Sequence, residues 1–366
     1  MKLPKILNPK AYIRKIQFID GRRRYDKYFR SIWPSPEYIK MIRSEKFKYN
    51  PLISVIVPTY NTPKDFFIEM IESVICQVYQ NWELVIIDDA STKSEVRDMI
   101  RSYAKKDSRI KYKFLKTNHH IAGATNEGFK MALGEFISLF DHDDILWPNA
   151  LYEIVKSLNT NKEFDIIYTD EDKMSYDGVR HRDPFLKPDW NEGLLLSINY
   201  FTHFTTIRRK IIEKVNGEDG RYNGAQDWDL FLRATEVTQP ERIHHISKIL
   251  YSWRIHDAST AKSFSNKSYV VESQKKMLEA ALERRKIKKS DYKLYENSGV
   301  WTYKIKDKKV LHGKMNFNNI KGLALTSKEI HRNIGRYSLI GYNYSHAQYD
   351  IDEVLFVPEE IYRKYW

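Results

Sequence analysis

The chain of 366 residues has one cysteine, Cys76, so no intramolecular disulfide can form. That excludes the small cross-linked secreted folds, and the apolar neighbours Met70, Ile71, Val74 and Ile75 predict a buried thiol in a reducing compartment. No apolar run reaches the roughly 18 residues that a membrane span needs. The opening MKLPKILNPK lacks the apolar stretch of a secretory signal, so the expectation is a cytoplasmic protein. Neither G-x-G-x-x-G nor a Walker lysine motif follows the first strand-like run, which disfavours a dinucleotide cofactor and P-loop hydrolysis. Acids are scarce at one end. Residues 1–50 carry 14 Lys+Arg against 4 Asp+Glu, whereas the remainder supplies only +3 of the net +13.

Apolar residues make up 42% and aromatics 14%, enough for a sizeable core, and the length suits one large domain with additions or two or three domains. In residues 1–50, Tyr12, Ile13, Ile16 and Ile19 recur at helical spacing among basic residues, and Pro34 and Pro36 divide the segment into two predicted helices. Such a basic amphipathic extension suits an anionic membrane face or packing on its own domain. From Pro51 onward, apolar strands alternate with helices: Leu52 to Pro58, Trp82 to Asp88, Arg109 to Leu115, Glu135 to Phe140 and Asp165 to Thr169 are the strands. Alternation of this kind predicts an α/β fold, a Rossmann-like, mostly parallel sheet flanked by helices. After Asp170 the pattern weakens into loop-rich sequence, then a helix Gln226 to Val237, a long strand candidate HHISKILYSWRIH and a charged helix Tyr269 to Lys286. The tail, roughly 290–366, holds the strand-like runs VWTYKIK and DEVLFV.

The chemistry is expected where strands end. In GEFISLFDHDDILWP a buried strand delivers acids to its carboxyl end, the ligand-binding side of open α/β sheets. Asp141 and Asp143 are two residues apart, so in extended backbone they face one side and can hold a divalent cation, which in turn holds phosphate oxygens. An acidic turn with Asp caps is the plainer reading. VPTYN can present backbone and hydroxyl groups, and a carboxylate in IDDAS can meet a base or a ribose, with capping by Asp89 or Ser91 as the alternative. His244 and His245 are expected to be structural.

LISVIVPTYNTP, WELVIIDDAST, NHHIAGATNEG and FISLFDHDD, followed by YTDEDK, KPDWN, GAQDWDLFLR and HISKILYSWRIHDASTAKS, resemble as an ordered set the family 2 glycosyltransferases of the A-type nucleotide-diphospho-sugar fold. They are most similar to a bacterial polysaccharide branch that includes many rhamnosyltransferases. The resemblance covers about residues 50–285. It implies nucleotide contacts from Pro58, Thr59, Tyr60, Asp89, Asn118, Asn126, Asp141 and His142. His120 stands where Gly is usual and Thr125 where Arg is frequent, which leaves uridine and thymidine both open as the base. The same resemblance makes Asp141, Asp143 and His256 ligands of Mn²⁺ or Mg²⁺. It puts Asp170, Glu171, Lys173, Trp228 and Arg254 near the donor sugar, its phosphates or the acceptor, with one of the 170–172 acids solvated and a core role open for Trp228. Asp227 becomes the catalytic base, with a helix cap as its plainer role and Asp229 as the rival acid.

The implied protein is a metal-dependent, inverting glycosyltransferase. It would move sugar from a UDP- or dTDP-sugar to a growing cell-surface polysaccharide or lipid-linked glycan, peripherally at the inner membrane face. Its expected organisation is a helical extension (1–50), a catalytic domain (51–288) and a small mixed C-terminal region (289–366). A sugar nucleotidyltransferase would show a Gly- and Arg/Lys-rich loop after the first strand, and VPTYNTP is not one. A non-catalytic module binding sugar nucleotides, nucleic acid or a protein partner is the rival class. Nucleic acid is not expected, since acids at 141, 143 and 227 repel phosphate.

Overall fold

The computed structural model describes residues 25, 27–256, 268–297, 300–305, 323–326 and 354–357. Helix α1 (Pro36–Ser44) opens with Ser35 as its N-cap and Pro36 in its first turn, both favourable for initiation. The predicted helix around Tyr12 to Ile19 lies outside the described residues. A βα series follows: β1 (Ile53–Thr59), α2 (Lys64–Ile75), β2 (Trp82–Asp88), α3 (Ser94–Lys106), β3 (Ile110–Phe114), α4 (His120–Met131) and β4 (Phe136–Leu139). Then come β5 (Ile145–Leu146), α5 (Ala150–Thr160), β6 (Ile166–Met174), β7 (His181–Phe185), α6 (Glu192–Ser197), β8 (Thr205–Arg208), α7 (Arg209–Lys214), α8 (Gln226–Glu236), β9 (Ile243–Arg254) and α9 (Ser268–Arg284).

Nine strands form one sheet in the order β3-β2-β1-β4-β8-β6-β9-β5, with β7 paired to β6. The β3-β2-β1-β4 half is parallel, and the apolar runs of β1, β2 and β4 suit strands covered on both faces. Val55 and Val57 of β1 and Leu84 and Ile86 of β2 face one core, while Ile56, Val85 and Ile87 face the other, so helices cover both sides. Beyond β4 the sheet is mixed, because β8 runs antiparallel to both β4 and β6, while β6 and β9 are parallel. Strand β6 does not stop at Thr169. It continues through Asp170, Glu171, Asp172 and Lys173 to Met174, with register shifts against β9 on both sides of Asp170. Such bulges re-aim side chains beside active sites.

Residues 25 and 27–50 pack onto this body. Phe29 stacks on His181 at 3.9 Å, Trp33 lies 4.7 Å from Trp147, and the Tyr25 hydroxyl donates to Asp172 at 2.8 Å. Tyr38 donates to Glu153 and Tyr49 to Glu135. At the other end, β10 (Tyr292–Asn297) and β11 (Val300–Ile305) form a hairpin fastened to α9 by Trp301 Nε1 donating to Gln274 at 2.9 Å. Two further strands, β12 (Leu323–Thr326) and β13 (Val354–Val357), pair with each other. Cys76 is exposed rather than buried. The apolar stripe of α2 ends at Ile75, and Cys76 is its C-cap, turned off the buried face. No helix among the described residues is long and apolar enough to cross a membrane.

Candidate active site

A cavity of about 670 Å³ opens at the carboxyl ends of β1 and β4. Pro58 and Asp141 line it from the sheet, His120 and Thr125 from α4, Asn199 and His203 from the segment before β8, and Glu218, Asp227 and Trp228 from α8 and the loop leading into it. The loops beside it are cross-tied. Asn61 N–H donates to Ser91, Thr92 N–H donates to Asn61 Oδ1, and His119 N–H donates to Asp89 Oδ1 at 2.6 Å. Asn118 Nδ2 reaches the Asp89 carbonyl at 3.2 Å. Asn61, Ala90 and His120 all have positive φ, a costly backbone state for non-glycine residues that concentrates at functional loops. His120 thus adopts, at φ 59°, the left-handed conformation in which glycine is unstrained. At this corner Tyr60 is 46% exposed and free to meet a ligand, Asp89 is buried, and Thr59 is buried against Thr62 at 2.5 Å.

The acids of the DHDD run separate. Asp141 is half-exposed on the cavity, with His203 Nε2 3.2 Å away. Asp143 accepts from His256 Nε2 at 2.7 Å, and Asp143 and His142 lie 3.8 Å apart. Burial alone would raise the Asp143 carboxyl, but His142 and His256 outweigh it and hold it below its ordinary range. Asp144 is fully buried. It accepts from the Tyr251 hydroxyl and from Arg254 N–H, and burial, with Asp143 and Asp141 adding, pushes its carboxyl well up. Asp141, Asp144 and His203 bring ligand atoms within 4.8 Å of one another. The expected ligand set is therefore divided: Asp143 and His256 are side by side, and Asp141 stands with Asp144 and His203. Carboxylate and imidazole donors of this kind fit a divalent cation.

Asp227 is the second residue of α8, and Ala225 is the N-cap, so Asp227 does not perform the capping role. Its carboxyl lies in the cavity wall and accepts from Asn199 Nδ2 at 2.8 Å. Burial raises its pKa and Asp141 adds to the shift, opposed by the Trp228 backbone N–H, His203 and Asn199. Asp229 is buried and paired with Arg233 at 2.5 Å, a structural bond within α8. Trp228 is buried, with Nε1 donating to the Leu195 carbonyl at 2.6 Å, and only an edge reaches the cavity.

Several expected contacts are corrected. Asp170, Glu171 and Lys173 are not in the cavity wall, and none of the 170–172 acids is solvated. Asp170 accepts from Lys187 N–H at 2.8 Å and His245 Nε2 at 2.9 Å. Glu171 takes the buried Lys187 ammonium at 3.1 Å and the Thr202 hydroxyl at 2.8 Å. Lys173 is largely buried with Nζ 5.7 Å from the Trp253 ring centroid. Arg254 is buried entirely, donates to the Asp143 and Tyr176 carbonyls at 2.8 and 2.7 Å and to Glu69, and is not in the cavity wall. Asn126 spends its amide on both backbone groups of Glu218, each at 2.8 Å. His244 stacks on Phe164 at 4.4 Å. The cavity also holds Asn199, His203 and Glu218, which sequence reading passed over. A histidine inside the aromatic run Tyr200–Phe204 was a usable signal, whereas Glu218 in GEDG looks like any solvated turn.

Residues 54–215 match the family model Glycosyl transferase family 2. Over those residues the chain carries a glycosyltransferase family 2 domain. Over 239 residues it is 43% identical to an uncharacterized protein, y4gI, of Sinorhizobium fredii, covering 65% of this chain and 26% of the relative. It is 38% identical over 211 residues to the O-antigen biosynthesis protein RfbC of Myxococcus xanthus, covering 58% and 16%. With the chondroitin synthase of Escherichia coli it shares 27% over 251 residues, 69% of this chain and 35% of that one. The chain thus spans about a third or less of these relatives. Among solved structures, TarS 1-349 of S. aureus in complex with UDP-GlcNAc overlaps 64% of this chain and 72% of its own at TM-score 0.49 and 18% identity.

Proposed function

We propose that the chain transfers a sugar from a nucleotide-diphosphate donor, UDP- or dTDP-linked, to a polysaccharide acceptor, with inversion at the anomeric carbon. The observation that carries this is Asp227: one carboxylate, buried in the cavity wall, oriented by Asn199 and raised in pKa, as a general base near neutrality should be. Asp227 takes the proton of the incoming acceptor hydroxyl as that oxygen attacks the anomeric carbon and the glycosidic bond to the nucleoside diphosphate breaks. One displacement needs one base, which supports inversion. The nucleotide is assigned to the corner formed by Pro58, Tyr60, Asp89 and Asn118. A divalent cation, Mn²⁺ or Mg²⁺, would be held by Asp141 with Asp143 and His256 and would supply charge neutralisation for the departing diphosphate. Asp144 is the poorer ligand, because it is fully buried and both of its oxygens already accept hydrogen bonds. His203 holds Asp141 from behind, and Glu171 and Lys187 hold His203 and its backbone.

Kinship with proteins named for O-antigen and chondroitin synthesis supports a polysaccharide acceptor. Residues 51–288 would be the catalytic domain. The basic N-terminal segment leaves Trp33 and Met41 exposed, which supports peripheral contact with an anionic membrane bearing a lipid-linked acceptor. Binding of residues 1–50 to anionic liposomes tests that location, and no co-sedimentation rejects it. For the activity, the full chain is offered a panel of UDP- and dTDP-sugars with Mn²⁺ or Mg²⁺. Metal-dependent release of nucleoside diphosphate from one donor, abolished in Asp143→Ala and Asp227→Asn, is expected. Absence of both release and calorimetric binding across the panel rejects it.

A further inference from the structure

Glu218 presents a third carboxyl to the cavity, and the mechanism above does not use it. The residue is 6% exposed, yet its Oε2 has no hydrogen-bond partner, an arrangement folded proteins rarely tolerate without a reason. Its position is rigid. Asn126 of α4 clamps its backbone N–H and carbonyl, and Arg233 of α8, itself held by Asp229, donates to the Gly217 carbonyl at 2.8 Å. Gly217 sits at φ 69°, and a Cβ there would lie 2.3 Å from Asn126 Oδ1, so the approach of this loop to α4 depends on glycine. An oxygen held this firmly and left unpaired is preorganised for a ligand.

The surroundings identify the ligand. Asp227 and Asp141 are close enough to act on the Glu218 carboxyl electrostatically, so the group lies beside the reacting centre rather than at the nucleotide corner. Burial, reinforced by those two acids and opposed by Thr125 and Arg233, raises the carboxyl above its ordinary range. The unpaired Oε2 can accept a hydrogen bond in either protonation state, and a sugar hydroxyl supplies the donor. A carboxylate in that place would repel a diphosphate.

We propose that Glu218 is a specificity residue that hydrogen-bonds a hydroxyl of the donor sugar and so selects the sugar transferred. This rests on reading the cavity as a nucleotide-sugar site. Calorimetry on the full chain with Mn²⁺ tests it, using free UDP and dTDP beside their glucose, galactose, N-acetylglucosamine and rhamnose conjugates. With Glu218→Ala, affinity for the preferred sugar nucleotide should fall about tenfold while that for the free diphosphate stays within about twofold, the loss expected of one hydrogen bond in a polar pocket. Glu218→Gln, which keeps a donor and an acceptor in the same volume, should recover part of the loss and melt no lower than the wild type. Sugar nucleotides bound equally by wild type and Glu218→Ala would overturn the inference alone, as would an equal loss for the free diphosphates. If the wild type binds no member of the panel, the donor reading fails and this inference fails with it.

Discussion

The two halves of the sheet solve different problems. Strands β1 to β4 are parallel, and β1, β2 and β4 are buried on both faces by mostly apolar side chains. Strands β6 and β9 carry Asp170, Glu171, Asp172, His245, Ser252 and Arg254 inside the sheet, all buried. The first half is stabilised by area removed from water. The second is stabilised by pairing: Asp172 alone accepts from Tyr25, Ser252 and His181. Burying charge is expensive unless every group is matched, so the second half is sensitive to single deletions and the first to lost volume. The second half also reaches the cavity, since the Lys187–Glu171–His203 chain ends at Asp141 in its wall. Burial alone would lower His203, but Glu171 and Asp141 outweigh it and hold the imidazole well above its ordinary range.

The sharpest test of the contrast is Asp227→Asn. Turnover should fall about 10²–10⁴-fold, the usual contribution of a general base. The thermal midpoint should rise, because the lost charge was disfavoured by burial; a midpoint that falls would mean that the carboxylate is structural. Next, Lys187→Met leaves Glu171 without its buried cation and should cost about 3–5 kcal/mol in urea unfolding. Pairing it with Glu171→Gln should restore much of that, and additive losses would deny that the pair acts as a unit.

Mn²⁺ at a hundred times its dissociation constant should stabilise the full chain by about 2.7 kcal/mol. Asp141→Asn and Asp143→Ala should abolish that shift, and a shift retained in both would place any metal elsewhere. In the absence of metal, the midpoint should fall as pH rises from about 5 to about 8. Asp144, Asp227, Glu218 and His203 all have folded pKa values above their ordinary ones, so each binds its proton more tightly when folded. The stability they confer is present at low pH and lost as pH passes their folded values. A flat profile would show that these groups do not titrate in this window. The smallest effect belongs to the apolar half: Ile86→Val should cost about 0.5–1.5 kcal/mol and leave turnover unchanged.

Legibility followed the same division. The strands β1, β2 and β4 were readable because a parallel strand covered on both faces is an unbroken apolar run, and such runs have few alternatives. Asp141 and Asp227, which the structure places in the cavity wall, were legible as candidates because they stand where apolar elements begin or end. YTDEDK was misread as a loop beyond Thr169. Its partners Lys187, His245 and Tyr25 lie 16 to 147 residues away, and no local pattern signals a charge that will be neutralised so far along the chain. Arg254 was hard to place for the same reason, since the carbonyls and Glu69 that it donates to come from three other segments.

Local chemistry along the chain was sufficient to determine the α/β class, the parallel half-sheet, the carboxyl-end location of the site and the acids delivered there, because periodicity and strand-end composition depend on near neighbours. Tertiary structure alone decided which of the charged residues face the cavity and which are locked in the sheet. It turned Asp143 toward His256, set His203 behind Asp141, and left Glu218 buried with one oxygen unpaired. Protonation and accessibility depend on the groups gathered around a side chain in space, and those are brought together only when strands from opposite ends of the domain pair.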